Sequence, residues 1–240
     1  MTDATPGLDD LPAPVRRLMD GATASLVWTN ELGGRTFRLE DGGRTRYLKW
    51  QRRAGLTTRQ LADVDLVEEA RRLGWAGRFL DVPQVLACGS EDDGAWLLTD
   101  GIEAENPLAQ RWRTDPLLAV PAIARGLRRL HDTLPVARCP FTCRWLDGRL
   151  ADSPEPERLV VCHGDPCVPN TLLDDHGDAV AHVDLGGLGV ADRWADLAIA
   201  SMSIGWDINF GPGHEELFFQ AYGVEPDRER ISFYRRLWEG

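Results

Sequence analysis

An α+β architecture, with an antiparallel sheet first and helices after it, follows from three observations. Between residues 25 and 99, short apolar or alternating runs are punctuated by turn chemistry such as Asp41-Gly42-Gly43 and Glu91-Asp92-Asp93-Gly94. Beyond residue 115 the apolar residues recur at helical spacing, as in Val120, Ala124 and Leu127. A length of 240 residues with 43% hydrophobic and 27% charged residues suits an ordinary globular protein with one large domain or two small ones. The expected division is a sheet-rich lobe within residues 1–100 and a mainly helical lobe over residues 101–240.

Residues 1–20 are rich in Pro and Asp and turn briefly helix-like around Val15 to Met19. Ser25 to Thr29, Thr36 to Glu40 and Arg46 to Trp50 read as strands, with Phe37 and Leu39 on one face. Asn30-Glu31-Leu32-Gly33-Gly34 is the turn between the first two. Lys49 stands inside an apolar strand between Leu48 and Trp50, which demands a partner unless that strand is a solvated edge. Residues 57–76 read as one helix: Thr57-x-x-Gln60 fits a capping box, and Leu66, Ala70 and Leu73 fall at i, i+4 and i+7. Pro83 to Cys88 and Ala95 to Thr99 add two strands, completing the sheet.

Asp115-Pro116 opens the next helix as N-cap and first-turn Pro. Leu117, Val120, Ala124, Leu127 and Leu130 form its expected buried stripe, and Arg128-Arg129-Leu130-His131 closes it with cations suited to the helix dipole. His131 is read there as structural. Residues 151–157, with Pro154 and Pro156, form a short linker. Asp192 is a good N-cap for a helix carrying Trp194, Leu197, Ala198 and Ile199, and Asp196 lies one turn further on. Glu215 to Tyr222 and Asp227 to Trp238 make the last two helices.

A net charge of −11 argues against nucleic acid or an anionic membrane as partner and is compatible with a cationic small molecule. No obligate protein partner is indicated. Met1 to Asp10 is polar and acidic, and no apolar run approaches the roughly 20 residues of a membrane span, so a cytoplasmic protein is expected. Cys88, Cys139, Cys143, Cys162 and Cys167 are odd in number and unevenly spaced, which reads as reduced thiols rather than a disulfide framework or a zinc site.

The chemistry concentrates in one stretch. The apolar run Leu159 to Cys162 ends in His163-Gly164-Asp165; Asn170 follows five residues after Asp165, and Asp184 fourteen after Asn170. Between Asn170 and Asp184, two apolar segments flank Asp174-Asp175-His176-Gly177, a hairpin reading that brings its ends together. Two carboxylates and an amide oxygen would then converge. Such an oxygen-only cluster suits Mg²⁺ holding a nucleotide's phosphates, and a carboxylate beside the metal shell can take a proton from a hydroxyl.

This spacing resembles the protein-kinase catalytic loop, with Asp184-Leu185-Gly186 in the place of its later metal-binding motif. The wording His163-Gly164-Asp165, Pro169-Asn170, Asp184-Leu185-Gly186, Gly189-Val190-Ala191-Asp192-Arg193 and Asp196-Leu197-Ala198 resembles the aminoglycoside phosphotransferases more closely still. The resemblance implies a protein-kinase-like two-lobed fold. It also implies transfer of the γ-phosphoryl of ATP, with GTP open, to a hydroxyl of an aminoglycoside antibiotic, conferring resistance. On that resemblance Asp165 is the catalytic base, and Asn170 and Asp184 hold Mg²⁺. Lys49 contacts the α- and β-phosphates. Glu69, in Glu69-Ala70-Arg71-Arg72-Leu73-Gly74-Trp75, steadies it, with Glu68 as the competing choice. Thr99 and Gly101 offer backbone groups to adenine at the hinge. Glu239 matches the acidic C-terminal position at which the family binds its cationic substrate. The turn after the first strand lies where such folds cover the phosphates, and His163 orders the loop.

The departures from the family fall on the acceptor side. Only about twenty residues separate Phe141 from His163, where the family carries a longer helical insertion. Gly187 stands where an arginine is frequent, and Met202 and Trp206 occupy a segment that is charged in aminoglycoside-modifying relatives. Three rivals follow: a kinase for another hydroxyl metabolite or antibiotic, a nucleotide-binding regulator without catalysis, and a metallohydrolase using His163, Asp165, His182 and Asp184.

Overall fold

The computed structural model describes residues 11–19, 21–149 and 153–240. The polar stretch Met1 to Asp10 and the first residues of the expected 151–157 linker lie outside the described residues. Two units are formed, Met1–Trp75 with Pro83–Ile102, and Ala76–Val82 with Glu103–Gly240. The expected boundary at residue 100 therefore shifts slightly, and the segment 76–82 groups with the second unit.

The first unit is a five-stranded antiparallel sheet. Its strands are β1 (Thr23–Thr29), β2 (Arg35–Asp41), β3 (Arg44–Arg52), β4 (Val85–Glu91) and β5 (Gly94–Asp100), in the order β1-β2-β3-β5-β4. Alternation gives the sheet two faces. Phe37, Leu39, Leu48, Trp50 and Leu98 turn to one face and pack with Leu11, Val15 and Met19 from the region of the short helix α1 (Ala13–Arg17). Thr36, Lys49 and Leu97 form a cross-strand row on the other.

The single helix expected over residues 57–76 is two. The capping box of Thr57 and Gln60 forms and starts α2 (Thr58–Asp63), but α3 (Leu66–Ala76) begins afresh. Asp65 is the cause: its carboxylate accepts the N–H groups of Val67 and Glu68 at 3.0 and 3.1 Å, acting as a second N-cap.

In the second unit α4 (Gln110–Arg113) precedes α5 (Pro116–Thr133), whose N-cap Asp115 accepts the N–H of Leu118. Val120, Ala124, Leu127 and Leu130 are buried as expected, but Leu117 is 72% exposed. The helical period sets the phase of a stripe without saying where its covering surface stops. Pro121 also leaves the Leu117 carbonyl without its helical donor, weakening that first turn.

Next come β6 (Leu159–Cys162), β7 (Thr171–Leu173), β8 (Ala179–His182) and β9 (Gly189–Asp192), where β7 pairs with β8 and β6 with β9. Three helices close the chain: α6 (Arg193–Ile204), α7 (Glu215–Tyr222) and α8 (Arg228–Glu239). Their core gathers Ile123, Leu127, Trp194, Leu197, Phe218 and Tyr234 around α6, every one of them buried. No helix among the described residues is long and apolar enough to cross a membrane.

Candidate active site

The residues singled out by the sequence fall into two groups, one in each unit. In the first, β3 carries Lys49 on the face turned away from the α1 core. Lys49 Nζ meets Glu69 Oε1 at 2.7 Å, with the lysine partly exposed and the carboxylate buried. Glu68, the competing choice, pairs instead with Arg71 and Arg72 on its own helix. Adjacent positions on one helix, about 100° apart around its axis, thus give two acids different partners. A buried glutamate holding a half-buried ammonium leaves a cation fixed on the sheet face it shares with Thr36 and Leu97.

The turn joining β1 and β2 does not present a row of free amides. Leu32 and Gly34 donate to Asn30 Oδ1 at 3.0 and 2.7 Å, and Gly33 donates to the Asn30 carbonyl at 3.0 Å. At the expected hinge, Thr99 is buried between Tyr47 and Val85 in the strand ladders. The N–H of Gly101 is taken by the carbonyl of Thr45 at 2.9 Å, so whatever Gly101 offers a base, its N–H is not available. Tyr47, which the sequence reading passed over, shares the Lys49 face by alternation and stands opposite Thr99.

In the second unit, β6 delivers His163-Gly164-Asp165. Gly164 sits at φ 85°, and a Cβ there would come within 2.2 Å of the Gly187 carbonyl oxygen, so only glycine lets this loop lie against the loop following Asp184. Asp165 Oδ1 is buried and meets no hydrogen-bond partner among the described residues. An orphaned carboxylate oxygen is costly unless something outside the chain completes it. Asn170 is buried and donates from its side chain to the carbonyl of Asp165 at 2.9 Å, which leaves its amide oxygen as the group able to face a cation. Val183 donates to the Asn170 carbonyl at 3.0 Å, closing the hairpin and bringing Asp184, the next residue, beside Asn170. Asp184 adopts φ 60° and ψ 48°, the left-handed region, the one non-glycine residue at positive φ among those described.

The loop is held from below. Asp196, fully buried, accepts the N–H of His163 and of Gly164 and meets His131 Nε2 at 2.9 Å; His131 Nδ1 meets the Tyr222 hydroxyl at 2.8 Å. Burial alone would push the Asp196 carboxyl up. The bond and charge of His131, the charge of His163 and the Gly164 N–H outweigh it and hold the group below the ordinary carboxylate range. His163 Nδ1 accepts the N–H of Asp165 at 3.3 Å, a loop-ordering contact. Ser203 of α6 supplies another brace by accepting the N–H of Val168 at 3.1 Å. Neither Tyr222 nor Ser203 carries a local signal for this work, since each acts across more than thirty residues of chain.

The metallohydrolase set does not assemble. Among the described residues, the group with metal-ligand proximity is His131, Cys162 and Asp196, not His163, Asp165, His182 and Asp184. Both oxygens of Asp196 are already taken. His182 is buried, and that burial, with the charge of His163, pushes its pKa down to about 3. Cys167 is no nucleophile, for burial and then the Asp165 charge push its thiol well up. Glu239 ends α8, exposed, and forms no ion pair among the described residues.

Residues 141–234 match the phosphotransferase enzyme family. The chain is 37% identical over 215 residues to an aminoglycoside 3'-phosphotransferase of Streptomyces fradiae, covering 73% of this chain and 79% of that one. It is 32% identical to an aminoglycoside 3'-phosphotransferase of Streptomyces ribosidificus, covering 95% and 99%. That alignment runs to 267 positions, longer than this chain, so the relative carries residues with no counterpart here. Among solved structures, an aminoglycoside 3'-phosphotransferase of type VIII superposes with a TM-score of 0.80 at 28% identity, covering 96% of this chain and 98% of that one. The aminoglycoside phosphotransferase of Streptomyces rimosus in complex with ADP and streptomycin superposes with a TM-score of 0.66 at 29% identity, covering 93% and 94%.

Proposed function

The chain belongs to the aminoglycoside phosphotransferase family, and on that premise we propose that it moves the γ-phosphoryl group of ATP to a hydroxyl of an aminoglycoside antibiotic. The observation that carries this reading is the buried, unpartnered Oδ1 of Asp165 on a loop braced by Asp196. A hydroxyl arriving at Asp165 would satisfy that oxygen by donating to it.

In this mechanism the acceptor O–H bond breaks toward Asp165, the acceptor oxygen bonds to the γ-phosphorus, and the nucleoside diphosphate leaves with the electron pair of the cleaved P–O bond. Asp165 acts as general base and aligns the nucleophile. Lys49, steadied by Glu69, contacts the donor's phosphates. Asn170 and Asp184 would hold Mg²⁺, a fit supported by their all-oxygen donor set and by the Asn170 amide that already directs its N–H elsewhere. Bound there, the metal supplies charge neutralisation on the phosphates. The rest is positioning: Asp196 and Ser203 hold the loop so that little reorganisation is needed at the moment of transfer. Glu239 serves as one carboxylate for the ammonium groups of the acceptor.

A second reading, a kinase for a less cationic alcohol, is favoured by the segment after α6. Trp206 and Ile208 are exposed there, and Met202 is only partly buried. The experiment that separates the two is nucleotide consumption measured across a panel of aminoglycosides and non-antibiotic alcohols. Turnover with an aminoglycoside carries the first reading; turnover with the other alcohols alone carries the second.

A further inference from the structure

The β1–β2 turn is closed by side chains as well as by backbone. Asn30 accepts two amides of the turn on Oδ1, and its Nδ2 donates to Gln51 Oε1 at 3.1 Å. Gln51 in turn donates from Nε2 to the carbonyls of Leu32 and Arg52 at 3.1 and 3.0 Å. The Gln51 side-chain amide thus accepts once and donates twice, and the residue is 2% exposed. A buried polar side chain so fully satisfied holds its partners in one geometry.

Gln51 lies two residues beyond Lys49 on β3, and the register with β5 runs through both residues without a shift. Its side chain therefore shares the face of Lys49. A turn tied to Gln51 through both Asn30 and the Leu32 carbonyl is consequently folded toward that face. The amides of Leu32, Gly33 and Gly34 point inward onto Asn30. The turn presents a fixed wall there rather than a cradle of N–H donors, which leaves the anion contact to Lys49.

We infer that Asn30 and Gln51 are positioning residues for the phosphoryl donor: they fix the β1–β2 turn over the Lys49 face and so shape the slot its phosphates enter. This rests on the reading of Lys49 as the phosphate contact. Gly34 belongs to the same device. Its backbone is ordinary, but a Cβ there would stand 2.1 Å from Gln51 Oε1 and 2.5 Å from Asn30 Nδ2, so a side chain is excluded by the lock itself.

Asn30→Ala and Gly34→Ala attack the lock from its two sides, one by removing a partner and one by forcing the partners apart. ATP with Mg²⁺ is titrated into each full-length variant by calorimetry without acceptor, and thermal melts establish that each is folded. Donor Kd should weaken by about 3- to 10-fold, the range expected for losing one or two neutral hydrogen bonds. Donor KM should rise with it while acceptor KM stays at its wild-type value. A wild-type chain that binds ATP but phosphorylates no aminoglycoside defeats the functional reading and leaves the lock to be judged on Kd. Unchanged donor Kd in both folded variants overturns the lock, as does a parallel rise of both KM values. Tighter donor binding overturns it too, since that is what freed amides grasping phosphate would produce, and so does a wild-type chain that binds no nucleotide.

Discussion

The side chain of Asn170 donates to the backbone carbonyl of Asp165 at 2.9 Å. The residue proposed to hold the metal and the residue proposed to take the proton are thereby set in register by a bond between them, before any ligand arrives. Losing either one should have its own signature.

Asp165→Ala should abolish phosphoryl transfer while leaving ATP binding nearly unchanged, because this carboxylate is proposed to act on the acceptor hydroxyl. Removing a positioned general base costs about 10²- to 10⁴-fold in rate. Turnover near the wild-type rate in a purified, folded variant would defeat the mechanism.

Asp184→Asn should weaken Mg²⁺–nucleotide binding and turnover together, since a neutral amide is a poorer ligand for a hard cation. Asparagine tolerates the left-handed backbone found at this position, so the change tests the charge and not the conformation. A variant with normal nucleotide affinity across a Mg²⁺ titration would remove Asp184 from the metal site.

Glu239→Gln should raise the KM of a cationic acceptor by about 3- to 30-fold if a charge-assisted hydrogen bond is lost, with little change in nucleotide KM. Because Glu239 is exposed at the end of α8, added salt should imitate the mutation in the wild-type enzyme. Steady-state kinetics at two ionic strengths checks both statements. An acceptor KM insensitive to mutation and salt would place the acceptor elsewhere.

Acid stability should depend on His182. Burial, aided by the His163 charge, holds its folded pKa near about 3, against 6.5 for the exposed side chain. As pH falls through 6.5 the unfolded chain takes up a proton that the folded chain refuses until about 3, so this residue draws stability away across that window. His182→Phe should flatten the dependence of the unfolding midpoint on pH between about 6 and 4. Urea melts at several pH values measure the slope, and a wild-type slope in the variant would show that His182 does not titrate in this way.

The elements easiest to read were those with local cause. Alternation and Asp/Gly turns marked all five strands of the first unit, and Thr57 with Gln60 announced the start of α2. The His163 to Asp184 stretch could be read as a site because a hairpin returns the chain to its start, a matter of topology over a few residues. What escaped reading was either a cap hidden inside a continuous helical pattern or a contact with partners far away in sequence. Asp65, between Val64 and Leu66 inside a continuous helical pattern, looks like an ordinary helix position until its carboxylate is seen capping Val67 and Glu68. Leu117 fits the stripe by phase and fails for want of a covering neighbour. His131 and Asp196 each invited a structural reading, but nothing local joins them to one another or to Tyr222. The Asn30–Gln51 contact likewise spans a strand and a turn with no motif to announce it.

Asp184 has one more consequence, for how this chain can change. A non-glycine residue in the left-handed region carries a cost of about 1–3 kcal/mol, and glycine would relieve it outright. A library of variants selected only for surviving heat should therefore drift toward glycine at position 184 and go silent as a phosphotransferase. A library selected on antibiotic plates should hold aspartate there at every temperature tried. Sequencing the two populations would show selection for durability and selection for work diverging at a single codon.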